Sequence, residues 1–309
     1  MPTAAAPSAT LEDLLRLASS AVAWRQIGPD LSVTTCAPHA PPSSPLAAAD
    51  AACHHWLERE GFSSLGPIAE PFVCTALVRA IQELRARGLP ASFVYAFDEA
   101  WAIGQALRHR ISAIVGHDYR LVEDVWAWHI LPGAGRGWPA HRGVASERFD
   151  RQAPEVINVW VALSNATPER ACIHAIPLDQ DPGYPDALDR LDASLESVRA
   201  LPAAAGDALL WNANVLHWGG PCSARAIGPR VSCSFTLCRA DAARRLPGLT
   251  MLAPLARLDL AARMDVLARM VLVYGQDQSD VSDVVREWAA LTHALTRRFS
   301  ASEGQTEDT

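Results

Sequence analysis

Apolar positions along the chain change period near residue 90, from helical spacing to alternation, and change back near residue 240. Thr10 precedes a run in which Leu11, Leu14, Leu15 and Leu17 recur at helical spacing, and Thr10 with Asp13 has the form of an N-terminal capping box. Pro29 and the cluster Pro38, Pro41, Pro42 and Pro45 predict a loop from 29 to 46. Amphipathic helices are expected at about 47 to 60 and 70 to 87, the second stopped by Gly88 and Pro90.

Beyond 90 the pattern predicts a strand over Ser92 to Phe97, a helix from Asp98 to about Val115, and a strand from Arg120 to Ile130. Four more strands are expected at Val156 to Leu163, Cys172 to Ile176, Asp207 to Trp211 and Val231 to Leu237. Short strands divided by Pro and Gly turns suggest an antiparallel sandwich or closed barrel, so the fold class is α+β. In the last strand Ser232, Ser234 and Thr236 occupy one parity and apolar residues the other, so one face meets the core and the other lines a polar cavity or solvent. Helices return at Leu258 to Val273 and Asp280 to Arg298, and the tail from Glu303 is expected to be disordered. The organisation expected is a helical elaboration over 1–90, a β core over 91–240, C-terminal helices over 241–300 and a tail over 301–309. The flanking helices suit a cover over the barrel or a homodimer contact.

Composition narrows the function classes. A chain of 309 residues, 50% hydrophobic, can bury a full core. Its net charge of −7 gives no basic footprint for nucleic acid, and no apolar stretch approaches the length of a membrane span. All 27 basic residues are arginine, which excludes a Schiff-base lysine and a Walker A loop. The seven cysteines form no Cys-x-x-Cys pair and read as reduced, buried small hydrophobes. With no secretory signal pattern at the N-terminus, a soluble cytoplasmic protein is expected.

The chemistry concentrates in His141-Arg142-Gly143 and in a second histidine, His217, followed by Arg230. An open iron(II) site ordinarily has two neutral imidazoles and one carboxylate on one face. In an extended His-x-Asp the two side chains share a face, but here Gly143 occupies the second position and offers no donor. Either water or a halide fills the missing place, or the site has lost its metal. Glu147, the nearest carboxylate downstream, reaches a metal at His141 only if its loop folds back, and Asp150 and Glu155 are poorer candidates.

Taken in order, Glu123-Asp-Val-Trp-Ala-Trp-His-Ile, Gly137-Trp-Pro-Ala-His-Arg-Gly143, Asn158-Val-Trp-Val-Ala-Leu-Ser-Asn-Ala-Thr-Pro-Glu, Gly206-Asp-Ala-Leu-Leu-Trp, Leu216-His217 and Pro229-Arg230 resemble the phytanoyl-CoA dioxygenase-like family of iron(II)/2-oxoglutarate oxygenases. The resemblance covers roughly residues 90 to 240. It implies a double-stranded β-helix, a jelly-roll or cupin-like barrel, with His141 and His217 as metal ligands and Arg230 clamping the far carboxylate of 2-oxoglutarate. A planar guanidinium suits that role because it makes two parallel hydrogen bonds to a carboxylate.

The departure from the family pattern is Gly143 in place of Asp. Halogenases of this superfamily share it and bind chloride on iron where the carboxylate would be. The resemblance therefore implies an oxidoreductase using iron(II), 2-oxoglutarate, O2 and chloride, in which an iron(IV)-oxo species abstracts hydrogen from an aliphatic carbon of a small-molecule substrate and the radical captures chloride. A hydroxylase on the same scaffold and a catalytically silent jelly-roll binding protein are the alternatives.

Other residues could line the pocket. Asn158 and Trp128 are candidates for cofactor binding, with His129, His174, Trp138, Trp160 and Trp211 as further lining, although buried tryptophans commonly serve the core. A buried Asn158 should have a hydrogen-bond partner. Arg142, Arg225 and Arg239 are alternative anion binders, while His54, His55 and His109 lie outside the motifs and read as structural.

Overall fold

The computed structural model describes residues 9–34, 47–135, 137–143, 150–246, 248–276, 278 and 280–303. Of the tail predicted over 301–309, residues 301–303 instead close a helix over Asp283–Glu303, while residues 304–309, Cys36 and Glu147 lie outside the described residues. The chain divides into two compact units, one of residues 39–78 and 102–252, the other of residues 1–38, 79–101 and 253–309.

The first of these units holds two antiparallel sheets. Eight strands build them: β1 (Phe62–Pro67), β2 (Tyr119–Ile130), β3 (Val156–Ala162), β4 (Ile173–Ala175), β5 (Arg199–Leu201), β6 (Asp207–Asn212), β7 (His217–Gly219) and β8 (Arg230–Arg239). The larger sheet has the order β1-β6-β3-β8-β2 and the smaller β5-β4-β7, the crossed arrangement of a jelly roll. Trp160 and Ala162 of β3, Leu209 and Trp211 of β6, and Ile173 and Ala175 of β4 form one apolar cluster, so these parities face each other across the sandwich. A helix over Ala47–Glu60 leads into β1.

Register places the polar parity of β8 on that same inner side. Ser232 stands opposite both Trp128 and Ala162, Ser234 opposite Trp160, and Thr236 opposite Asn158. The polar face of β8 therefore looks into the space between the sheets, and Val231, Cys233, Phe235 and Leu237 are buried on the other side. The six described cysteines are all free and buried.

In the other unit, Thr10 Oγ1 accepts from Asp13 N at 3.2 Å while the Asp13 carboxylate accepts from Thr10 N at 3.1 Å, the capping box that starts a helix over Leu11–Ser19. The expected strand over Ser92 to Phe97 is instead a 3-10 helix over Ala91–Ala96 with every residue buried. Its bonds run from Phe93 N to Pro90 O and from Phe97 N to Val94 O, both at 3.1 Å. Phe93 packs on Trp24 and Trp288. Arg263, fully buried, donates to Ala96 O at 2.8 Å and pairs with Asp98 at 2.6 Å. A short apolar run buried on every side carries no periodicity that separates a strand from a tight helix. Among the described residues no helix is long and apolar enough to cross a membrane.

Candidate metal centre and co-substrate pocket

His141 and His217 meet through their backbones. An isolated antiparallel bridge joins them, each N–H donating to the other's carbonyl at 3.0 Å, which extends the smaller sheet past β7 and brings the two rings to 4.2 Å between centroids. Each ring then donates from Nδ1 to the carbonyl two residues upstream, His141 to Pro139 O at 2.8 Å and His217 to Val215 O at 2.9 Å. That bond fixes the tautomer and leaves both Nε2 lone pairs for a metal. Burial holds the His217 imidazolium pKa down at about 3, with the neighbouring His141 adding to the shift, and burial lowers that of His141 as well. Both rings are thus kept in the neutral form that a metal requires.

Among the described residues no cluster of three His, Cys, Asp or Glu side chains forms. Glu155 is buried against Arg245, and Asp150 caps the turn at Gln152 and Ala153. The third donor of a conventional site is therefore absent among the described His, Cys, Asp and Glu side chains. At Gly143 itself, an added Cβ would stand 2.9 Å from Asn158 Oδ1 and 3.2 Å from both Cβ and O of Ala213.

Arg230 opens β8 and is buried to 1% exposure without a carboxylate partner among the described residues. One Nη donates to Ser232 Oγ, Nε has no hydrogen-bond acceptor, and the guanidinium lies between the rings of Trp128 and Trp160 at 5.7 and 5.5 Å. Burial lowers its pKa to about 10, still well above neutrality, so it is a buried cation in search of an anion. Two glycines make room for it. A Cβ on Gly137 would come within 3.0 Å of Nη2 and one on Gly219 within 3.2 Å, and either would stand 2.6 Å from the other glycine's Cα. Gly219 lies two residues beyond His217 on the same strand, so the guanidinium sits beside the histidine pair. The indole N–H groups of Trp128, Trp160 and Trp211 are buried without acceptors, and the Trp211 ring packs 4.6 Å from that of His217.

His141, Gly143, Asn158, Trp128, His217 and Arg230 therefore gather on the inner side of the sandwich, with Trp160 and Trp211 beside them. His129 and His174 do not, because each lies on the parity opposite to its inward neighbours, and His174 stacks instead on Trp218 at 5.6 Å. The alternative arginines are also elsewhere. Arg142 spends its donors on Asp181 and on the carbonyls of Leu188, Asn214 and Arg190, Arg239 serves Asp241 and Ala153 O, and Arg225 is exposed. His54 bonds Gln152 O at 3.0 Å, and His55 and His109 are exposed. Sequence reasoning missed Ser232 as the Arg230 partner and the two clearing glycines. The Trp-Gly-Gly that follows His217 was the available signal.

The donor set fits the groups that the motifs imply: two neutral imidazoles for a metal, and a buried guanidinium, bonded only to Ser232 among the described residues and ringed by indole donors, for a dicarboxylate. Residues 102–227 match the family model for phytanoyl-CoA dioxygenase, a span that includes both histidines and Gly143 and stops short of Arg230. Two solved structures share the fold. AviO1 from Streptomyces viridochromogenes Tue57 is 18% identical, with 64% of this chain and 97% of that chain covered at a TM-score of 0.51. The non-heme alpha ketoglutarate dependent epimerase SnoN from nogalamycin biosynthesis is 17% identical, with 62% of this chain and 82% of that chain covered at a TM-score of 0.50. No curated protein matches the chain by sequence. The family model spans less than half of the chain, and the likeness to the two solved structures shows the jelly-roll fold.

Proposed function

We propose that this protein is an iron(II)/2-oxoglutarate-dependent oxidoreductase acting on an aliphatic carbon of a small molecule. The observation that carries the reading is Arg230, a buried guanidinium with no carboxylate partner among the described residues, set beside the paired histidines. His141 and His217 would hold the iron through Nε2, and Arg230 with Ser232 would hold the far carboxylate of 2-oxoglutarate. Iron with 2-oxoglutarate and O2, when bound, supplies an oxidant strong enough to take hydrogen from an unactivated carbon. The tryptophan walls keep water from the centre, and their unused N–H groups can orient bound oxygen atoms.

Two outcomes at the substrate carbon are compatible with this scaffold. Gly143 favours chlorination, because chloride carries the charge of the absent carboxylate. The surroundings of Gly143 favour hydroxylation, because Asn158 Oδ1 and Ala213 already occupy the space into which a side chain at 143 would project. Hydroxylation is the reading the geometry supports best, and chlorination is the second. The test is to supply iron(II), 2-oxoglutarate, O2 and chloride with a panel of small metabolites and measure succinate together with product mass. Substrate-stimulated succinate that vanishes in His141→Ala supports the reading, and the product mass decides between oxygen and chlorine. Failure of the wild-type protein to bind 2-oxoglutarate or form succinate under any condition would refute it.

A further inference from the structure

We infer that the side-chain amide oxygen of Asn158 is the third protein donor to the metal, in place of the carboxylate that Gly143 lacks. The inference rests on the reading of His141 and His217 as metal ligands. Asn158 lies in the middle of β3, and its Oδ1 is buried with no hydrogen-bond partner among the described residues. Leaving such an oxygen unsatisfied costs on the order of 1–3 kcal/mol, so a strand that retains it among valines and isoleucine needs a compensating contact. The adjacent hydroxyl does not supply one. Thr236, directly opposite on β8, donates to Asp124 at 2.7 Å instead.

Position points to the metal. Residue 143 follows His141 by two, where an extended chain returns a side chain to the same face, and the Cβ that Gly143 lacks would lie 2.9 Å from Asn158 Oδ1. The amide oxygen thus enters the region that a carboxylate at 143 would occupy, reaching it from the neighbouring sheet. On its other flank Asn158 stands opposite Trp211 of β6, whose ring packs against His217 at 4.6 Å. The oxygen is therefore bracketed by residue neighbours of both histidines.

The chemistry is suitable. A carboxamide oxygen is a hard neutral donor of the kind that divalent cations accept from Asn and Gln. Two imidazoles and one amide leave the full charge of the metal uncompensated by protein, so affinity for metal alone should be modest and should rise when dianionic 2-oxoglutarate joins. An occupied amide position also leaves no place for chloride there.

The test titrates cobalt(II), a spectroscopic stand-in for iron(II), into the metal-free full-length protein without 2-oxoglutarate. Asn158→Ala should weaken cobalt binding by about tenfold or more, and Asn158→Asp should tighten it. Chloride should leave the wild-type spectrum unchanged and alter that of Asn158→Ala, where the site has been vacated. Should the alanine variant lose its fold by circular dichroism, Asn158→Asp decides alone, tighter binding supporting the inference and unchanged binding overturning it. If Asn158→Ala binds cobalt as the wild type does and loses only 2-oxoglutarate affinity, Asn158 contacts the co-substrate and the inference falls. If the wild type takes up no cobalt, or His141→Ala binds it equally well, the metal-centre reading beneath it falls instead.

Discussion

Arg142 grips Asp181 through two guanidinium nitrogens, with Nη2 to Oδ1 at 3.0 Å, and both side chains are almost fully buried. The same guanidinium donates to Leu188 O at 2.9 Å and Asn214 O at 2.8 Å. Because Arg142 lies between His141 and Gly143, this one side chain ties the 141–143 segment to the 181–190 segment and to the turn before His217.

Breaking that pair leaves a buried charge without its partner, which typically costs about 3–5 kcal/mol. Asp181→Ala should therefore lower the urea midpoint by a corresponding amount and weaken metal binding as the His141 loop loosens. Arg142→Lys should not rescue it, since an ammonium cannot reproduce the fork. Equilibrium unfolding with a cobalt titration checks both, and an unchanged midpoint would contradict the role.

Arg230 has the opposite economy. No carboxylate among the described residues repays its desolvation, so Arg230→Met should stabilise the ligand-free fold by about 1–3 kcal/mol. The same change should weaken 2-oxoglutarate binding by about 3 kcal/mol, roughly a hundredfold, while metal affinity in its absence holds. Thermal unfolding and co-substrate titration on the same sample read the two effects with opposite sign.

Gly143 and Asn158 should couple. Gly143→Ala places a methyl 2.9 Å from Asn158 Oδ1 and 3.2 Å from backbone and side-chain atoms of Ala213, which should cost about 1–3 kcal/mol of stability. With Asn158→Ala in the background the penalty should shrink, giving a coupling energy of about 1 kcal/mol in a double-mutant cycle. Additive effects would show that the two residues do not share the space.

Much of this was legible in the chain because it is local. Thr10 and Asp13 announce their helix three residues apart, and Arg120 to Ile130 and Val231 to Leu237 are long enough for alternation to mark the strands. The ordered resemblance singled out the histidines and Arg230, which the fold brings side by side. What stayed hidden depends on distant partners. β7, three residues beginning at His217, is too short to show a period and exists through its pairing with β4 and with His141. Arg142 read as an anion binder because its carboxylate lies 39 positions away. Asn158 was expected to have a partner, and nothing in its own strand reveals that its oxygen instead faces the gap at Gly143. The buried 3-10 turn at Ala91–Ala96 was mistaken for a strand because burial on all sides erases periodicity.

The central claim is that His141, His217 and Arg230 together hold iron(II) and 2-oxoglutarate. Anaerobic addition of iron(II) and 2-oxoglutarate to the metal-free protein, followed by visible absorption, tests it most directly. The account predicts a charge-transfer band that requires both additions, is lost in His141→Ala, needs far more 2-oxoglutarate in Arg230→Met, and is indifferent to chloride. A band that shifts with chloride would move the chemistry to halogen transfer, and no band at any concentration would contradict the metal and co-substrate site altogether.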